Sequence, residues 1–82
     1  MNVKVKTYKE GELISETSLL PRLVFQFLVA RIRATGNISR LDSELKAHKY
    51  YKDIEDNNKT VVIENKDTGY KFEIFQTKQA SF

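Results

Sequence analysis

Residues 18–36 read SLLPRLVFQFLVARIRATG, a segment with helical spacing and more apolar sides than one contact surface can use. At about 100° per residue, Leu23, Phe27 and Ala34 share one side, Val24 and Leu28 the next, and Phe25, Val29 and Ile32 a third. Only Arg22, Gln26 and Arg33 form a polar stripe, and Arg31 stands inside the apolar arc. A helix lying on a single sheet needs an apolar face of roughly 100°. This helix is therefore expected to be covered on two sides. The sheet supplies one cover, and the other is a second helix of the chain or the same helix of a second copy.

The flanks carry start and stop signals. Ser18 is a candidate N-cap, and Pro21 in the first turn costs no hydrogen bond because the first amides of a helix have no acceptor within it. Gly36 and Asn37 tolerate positive φ and are expected to end the helix. Upstream, NVKVKTYK at 2–9 alternates like a half-buried strand, and ELISET at 12–17 returns after Glu10 and Gly11. A two-residue loop would mix charges into the apolar face. A three-residue loop with Gly11 left-handed is expected instead, which sets Lys6 opposite Glu16 and Tyr8 opposite Ile14. Downstream, Ser39 with Asp42 three residues on resembles a capping box for a short second helix, with Ile38, Leu41, Leu45 and either His48 or Tyr51 on its apolar side.

From residue 50 the signals turn to strands. Residues 50–55 form an expected third strand, followed by a polar turn at Asp56, Asn57, Asn58 and Lys59, a strand at 60–65, a loop at 66–69 and a last strand at 70–77. Pairing Asn65 with Tyr70 places Val61, Ile63, Phe72 and Ile74 on one face and Glu64 against Lys71 on the other. The order ββααβββ is an α+β fold: an N-terminal β-hairpin and a C-terminal three-stranded meander in an antiparallel sheet, with one long central helix and one short helix on one face. Residues 1–77 read as a single domain and residues 78–82, which have no pattern, as a flexible C-terminal tail.

An 82-residue chain has room for one small core. Without cysteine there is no disulfide, no thiolate nucleophile and no Cys-based zinc site. The alternating, charged N-terminus is neither a signal peptide nor a transit sequence, and the one long apolar run is broken by Arg22, Gln26, Arg31 and Arg33, so a soluble, cytoplasmic protein with no membrane association is expected. The net charge of +3, from 14 basic and 11 acidic residues, is modest for a dedicated nucleic-acid module. All four Arg, at 22, 31, 33 and 40, lie on or just after the central helix, whereas every Lys lies outside it.

Catalytic patterns are thin. His48 is the sole histidine, so no second imidazole joins it at a metal, and neither a Gly-rich phosphate loop nor a G-x-S-x-G elbow is present. Asp53 or Asp56 with Glu64 and Lys66 spells D…E-x-K, the arrangement in which two carboxylates hold Mg²⁺ and a lysine polarises the phosphate. Yet Glu64 has a cross-strand partner in Lys71 and sits where a hairpin wants polar residues. The expectation is a protein with no catalytic residue, cofactor, metal or evident small-molecule substrate, and a metal-dependent nuclease is a remote alternative.

Two binding classes remain. The helices joined by TGNI suggest a helix-turn-helix with the hairpin around KDTG as a wing, although the groove-entering positions Ser39, Arg40, Asp42, Ser43 and Glu44 include two acids. Tyr8, Tyr50, Tyr51 and Phe75 are candidate stacking platforms for bases. The leading expectation is a non-catalytic protein-interaction module, a regulatory or inhibitor protein that forms a homodimer or meets a partner through the central helix. Its contact residues would be Arg22, Val24, Leu28, Arg31, Arg33 and Arg40. Small Lys- and Asn-rich chains without cysteine are common in phages and mobile elements, and that compositional association extends the expectation to anti-defence or host-takeover inhibitors.

Overall fold

A computed structural model of the chain describes residues 2–36 and 38–77. The elements are β1 (Asn2–Lys9), β2 (Glu12–Leu19), α1 (Pro21–Thr35), α2 (Arg40–Glu55), β3 (Val61–Asn65) and β4 (Tyr70–Thr77). The fold is α+β, with four strands in one antiparallel sheet of order β2-β1-β4-β3 and both helices on the same face. The strand expected at 50–55, the third of five in chain order, is instead the last part of α2, so the C-terminal meander is a hairpin. Tyr50, Tyr51 and Ile54 recur at helical spacing and close onto the core, which overrides the strand preference of the tyrosines. The proposed tail at 78–82, like Asn37, lies outside the described residues.

The core joins inward residues of three strands to one face of each helix. Val3, Val5, Val61, Ile63, Phe72 and Ile74 meet Val24, Leu28 and Ile32 of α1, and Ala47 and Ile54 of α2. The β3–β4 register pairs Asn65 with Tyr70 and Ile63 with Phe72, as the alternation requires. On α2 the buried side is Ser43, Ala47 and Ile54, not the leucines; Leu41 and Leu45 are exposed. Small residues there let the α2 backbone approach the core closely, and the fully buried Ser43 hydroxyl donates to the Arg40 carbonyl at 2.7 Å.

The first hairpin has a two-residue turn and a bulge. Glu10 and Gly11 both have positive φ, 50° and 85°, the conformation that matches the right-handed twist of the flanking strands. Near the tip Lys9 faces Glu12 and Tyr8 faces Leu13, whereas past the bulge Thr7 faces Ser15 and Lys6 faces Glu16. The bulge absorbs the one residue by which a two-residue loop would misalign the faces. Lys6 thus meets Glu16 as expected, and Tyr8 opposite Ile14 is corrected to Leu13.

The helix start also differs. Ser18 belongs to β2, paired with Lys4, and α1 begins at Pro21 after Leu20, whose side chain provides no cap. Gly36 ends α1 in extended backbone, at φ −160°, not in the left-handed region. Ser39 does cap α2, accepting from the Asp42 amide at 3.1 Å. At the opposite end from Leu19, the two hairpin tips are tied together: the Glu10 amide donates to the Gly69 carbonyl at 2.8 Å.

Candidate protein-binding surface

The three apolar sides of α1 have three different fates. Val24, Leu28 and Ile32 face the sheet. Phe25 and Val29 turn toward α2, where Phe25 meets the His48 ring at 4.5 Å and both line a groove with Arg40 and Glu44. The third side, Leu23, Phe27, Arg31 and Ala34, turns away from α2. Leu23 is 41% exposed, Ala34 is exposed, and Phe27 is half-buried, packed against the core and edge-on to Phe72.

This third side borders a part of the sheet that the helices leave open. They pack on β1, β3 and β4, while β2 is held chiefly by β1. Residues 12–18 of β2 are exposed without exception, on both faces of the sheet. Ser15 and Thr17 pair with Thr7 and Val5 and therefore share the helix-bearing face, yet nothing covers them. The result is a shelf: Ser15 and Thr17 form its floor, Leu20 and Leu23 the α1 wall at one end, and Phe27 and Arg31 the wall at the other.

Arg31 is the unusual member of that wall. Its guanidinium carbon lies 4.9 Å from the Phe27 ring centre and 4.7 Å from that of Phe72. Its Nε is buried without a hydrogen-bond partner. Among the described residues the ion pairs are Lys4–Glu16, Arg40–Glu44 and Lys71–Glu73, so Arg31 has no acidic neighbour in contact. Beside it opens a cavity of about 190 Å³ lined by Asn65, Thr68, Tyr70 and Phe72. Lys9 lies over the Tyr70 ring at 5.2 Å, and it too makes no ion pair among the described residues.

The six expected contact residues do not form one surface. Val24 and Leu28, 1% and 0% exposed, are core residues, and burial removes both from any partner contact. Arg22 is exposed on the outer side of α1. Arg33 and Arg40 line the groove between the helices, and Arg40 is paired with Glu44 at 3.2 Å. Arg31 stands on the opposite flank. Of the expected set, Arg31 alone borders the shelf.

The other chemistries fare as follows. No group of three metal-capable side chains exists among the described residues. Asp53 and Asp56 precede β3, whereas Glu64 and Lys66 follow at its other end, so the D…E-x-K residues are not brought together. The start of α2, the expected groove-reading position, is engaged internally: Ser39 caps, Ser43 is buried and Glu44 holds Arg40. On the sheet face away from the helices, Lys71 covers the Tyr8 ring at 4.9 Å and Lys6 the Phe75 ring at 5.6 Å. Tyr51 on α2 hydrogen-bonds the Glu55 carboxylate, which, with partial burial and the negative charges of Glu55 and Asp56, raises its pKa above 10.0. Among the described residues no helix is long and apolar enough to cross a membrane. No known family, curated protein or solved structure matches this chain.

The composition of β2 already signalled the shelf. Ser15 and Thr17 occupy the inward parity, where a covered strand would carry Val or Ile as β1 does with Val3 and Val5. The contact of Arg31 with two rings was not legible. Phe27 lies one helical turn before Arg31, but Phe72 arrives from a strand forty-one positions later.

Proposed function

We propose that this is a non-catalytic protein-interaction module, a regulatory or inhibitory subunit, whose contact surface is the shelf beside α1. The observation that supports this reading most is β2: an eight-residue strand whose residues 12–18 are exposed on both faces, next to the exposed Leu20 and Leu23. Strands left so uncovered are normally shortened or shielded, because unpaired, uncovered strand surface invites contact. The dimer through α1 is disfavoured by charge. That helix carries Arg22, Arg31 and Arg33 and no acidic residue, so an isologous pairing would bring like charges together. The partner is accordingly a different protein.

The test is capture of partners from the native host by the tagged protein and by two variants, with mass spectrometry as readout. Leu23→Glu, on the shelf, should lose the partner that wild type retains, while Leu45→Glu, on the outer side of α2, should keep it. Equal retention by both variants would remove the shelf from the reading.

A second reading, single-stranded nucleic acid on the outer sheet face, draws on Tyr8 and Phe75, which sit on the two central strands. Weighing against it, Lys4, Lys6 and Lys71 on that face are matched by Glu16, Glu64 and Glu73, and a neutral face gives phosphates no attractive field. Gel-shift binding that weakens steeply with salt would favour it over the protein partner.

A further inference from the structure

We infer that the shelf receives an amphipathic helix of the partner, with a carboxylate side chain seated on Arg31. This rests on the shelf being the contact surface and specifies what occupies it. Three observations determine the occupant.

The first is size. The open strip is β2 and the adjacent part of β1, about 10 Å across at the usual spacing of strands, which is the diameter of one helix with its side chains. The eight residues of β2 give it a length of roughly 27 Å at about 3.4 Å per residue, enough for about 18 helical residues. α1 and α2 pack on β1, β3 and β4 of this face, and the strip beside α1 is the part they leave bare.

The second is apolar patterning. Leu23, Phe27 and Ala34 follow one another along the α1 wall at steps of four and seven, and Leu20 stands just before the helix. That is the seam a neighbouring helix packs into. Leu20 and Leu23 are 53% and 41% exposed, so the seam is open at its N-terminal end.

The third is charge. At the other end of the wall stand two cations without ion pairs, Arg31 on Phe27 and Phe72, and Lys9 on Tyr70. Glu12, opposite Lys9 in the strand register, and Glu10 at the turn form no ion pair with either. The Arg31 Nε is enclosed without a partner, and among the described residues no hydrogen bond or ion pair involves its terminal nitrogens. Those two nitrogens are the groups left to meet a ligand, and a planar carboxylate accepts from both at once. The Phe27 and Phe72 rings, at 81° to one another, both lie against the guanidinium and already restrict it, so less side-chain freedom is lost when the carboxylate arrives. The occupant therefore has apolar residues toward Leu20 and Leu23 and an acid about two turns along, toward Arg31.

The experiment uses a displayed library of 18-residue amphipathic helices with randomised polar positions, selected on the full-length wild-type protein. Binding is then located by amide chemical-shift changes. The expected result is enrichment of Asp or Glu at one register position, with shifts at Ser15, Thr17, Leu23 and Phe27. Selected peptides should bind Arg31→Met, which keeps the apolar stem over the rings, at least tenfold more weakly, and Arg31→Lys should recover only part of that loss, because it restores charge without the planar fork. Thermal melts of both variants establish that they fold. Peptides that bind on the shelf without an acidic residue and with unchanged affinity for Arg31→Met would overturn the inference and leave the shelf as the contact surface. Selected peptides that map to another face, or no selection at all, would overturn the inference, and mapping elsewhere would count against the shelf reading too.

Discussion

Replacing Leu28 by alanine is the sharpest test of which face of α1 is core. Leu28 is fully buried among the inward residues of the sheet and of α2. The change deletes three carbons, each worth about 0.8 kcal/mol of transfer free energy, so the loss from transfer alone is about 2.4 kcal/mol. The two-layer core is held by strands on one side and Ala47 and Ile54 on the other, and it collapses incompletely around the gap. The cavity term then brings the total to about 3–5 kcal/mol. A domain of this size is stable by roughly 4–12 kcal/mol, so Leu28→Ala removes a large share and lowers the melting temperature by more than about 12 °C. Leu45→Ala provides the internal control. Leu45 is 60% exposed on the side of α2 away from the sheet, and its truncation should cost less than about 0.5 kcal/mol. Urea unfolding followed by circular dichroism measures both. If Leu45→Ala proves as costly as Leu28→Ala, α2 is turned the wrong way and the core assignment fails; if both are mild, α1 does not present Leu28 to the sheet.

The glycines and Tyr51 give further outcomes. Gly69 has φ +78°, and an added Cβ would meet Glu10 Cγ at 3.0 Å, whereas Gly11 has φ +85° with open space around it; both alanine variants lose stability in denaturant melts, by about 1 kcal/mol or more for the left-handed backbone, and Gly69→Ala is the worse of the two. Gly36, extended and unobstructed, should accept alanine with no loss. The Tyr51 hydroxyl, held protonated by Glu55, should titrate above 10.0 in ultraviolet absorbance, and Glu55→Gln should bring it back toward the ordinary value. Because the folded-state pKa is raised, the Tyr51–Glu55 contribution to stability is fully present below the unfolded value and is lost as pH rises through the folded one. Equal alkaline stability in wild type and Glu55→Gln would show that the bond contributes nothing.

Local patterns were sufficient where one period and one partner decide an element. The β3–β4 register, the Ser39 cap, the left-handed Gly11 and the α1 periodicity all depend on residues within a few positions of one another, and each could be read from the chain. Where two readings compete locally, long-range packing decided. Residues 50–55 carry strand-forming tyrosines, but Ile54 gains more by continuing α2 into the core than by starting a strand at its edge. On α2 the sequence marks Leu41 and Leu45 as the apolar face, whereas the sheet leaves space only for Ser43 and Ala47, because small side chains permit close approach. The three-sided helix illustrates the division most fully. The sequence by itself determined that α1 has more apolar surface than one sheet can cover. Only the tertiary structure decided how it is shared, with Val24 and Leu28 in the core, Phe25 and Val29 against α2, and Leu23 to Arg31 left along the shelf. The reason is where the helices sit: they pack on β1, β3 and β4, and the strand they miss is the edge strand β2, whose inward Ser15 and Thr17 have little apolar surface to bury.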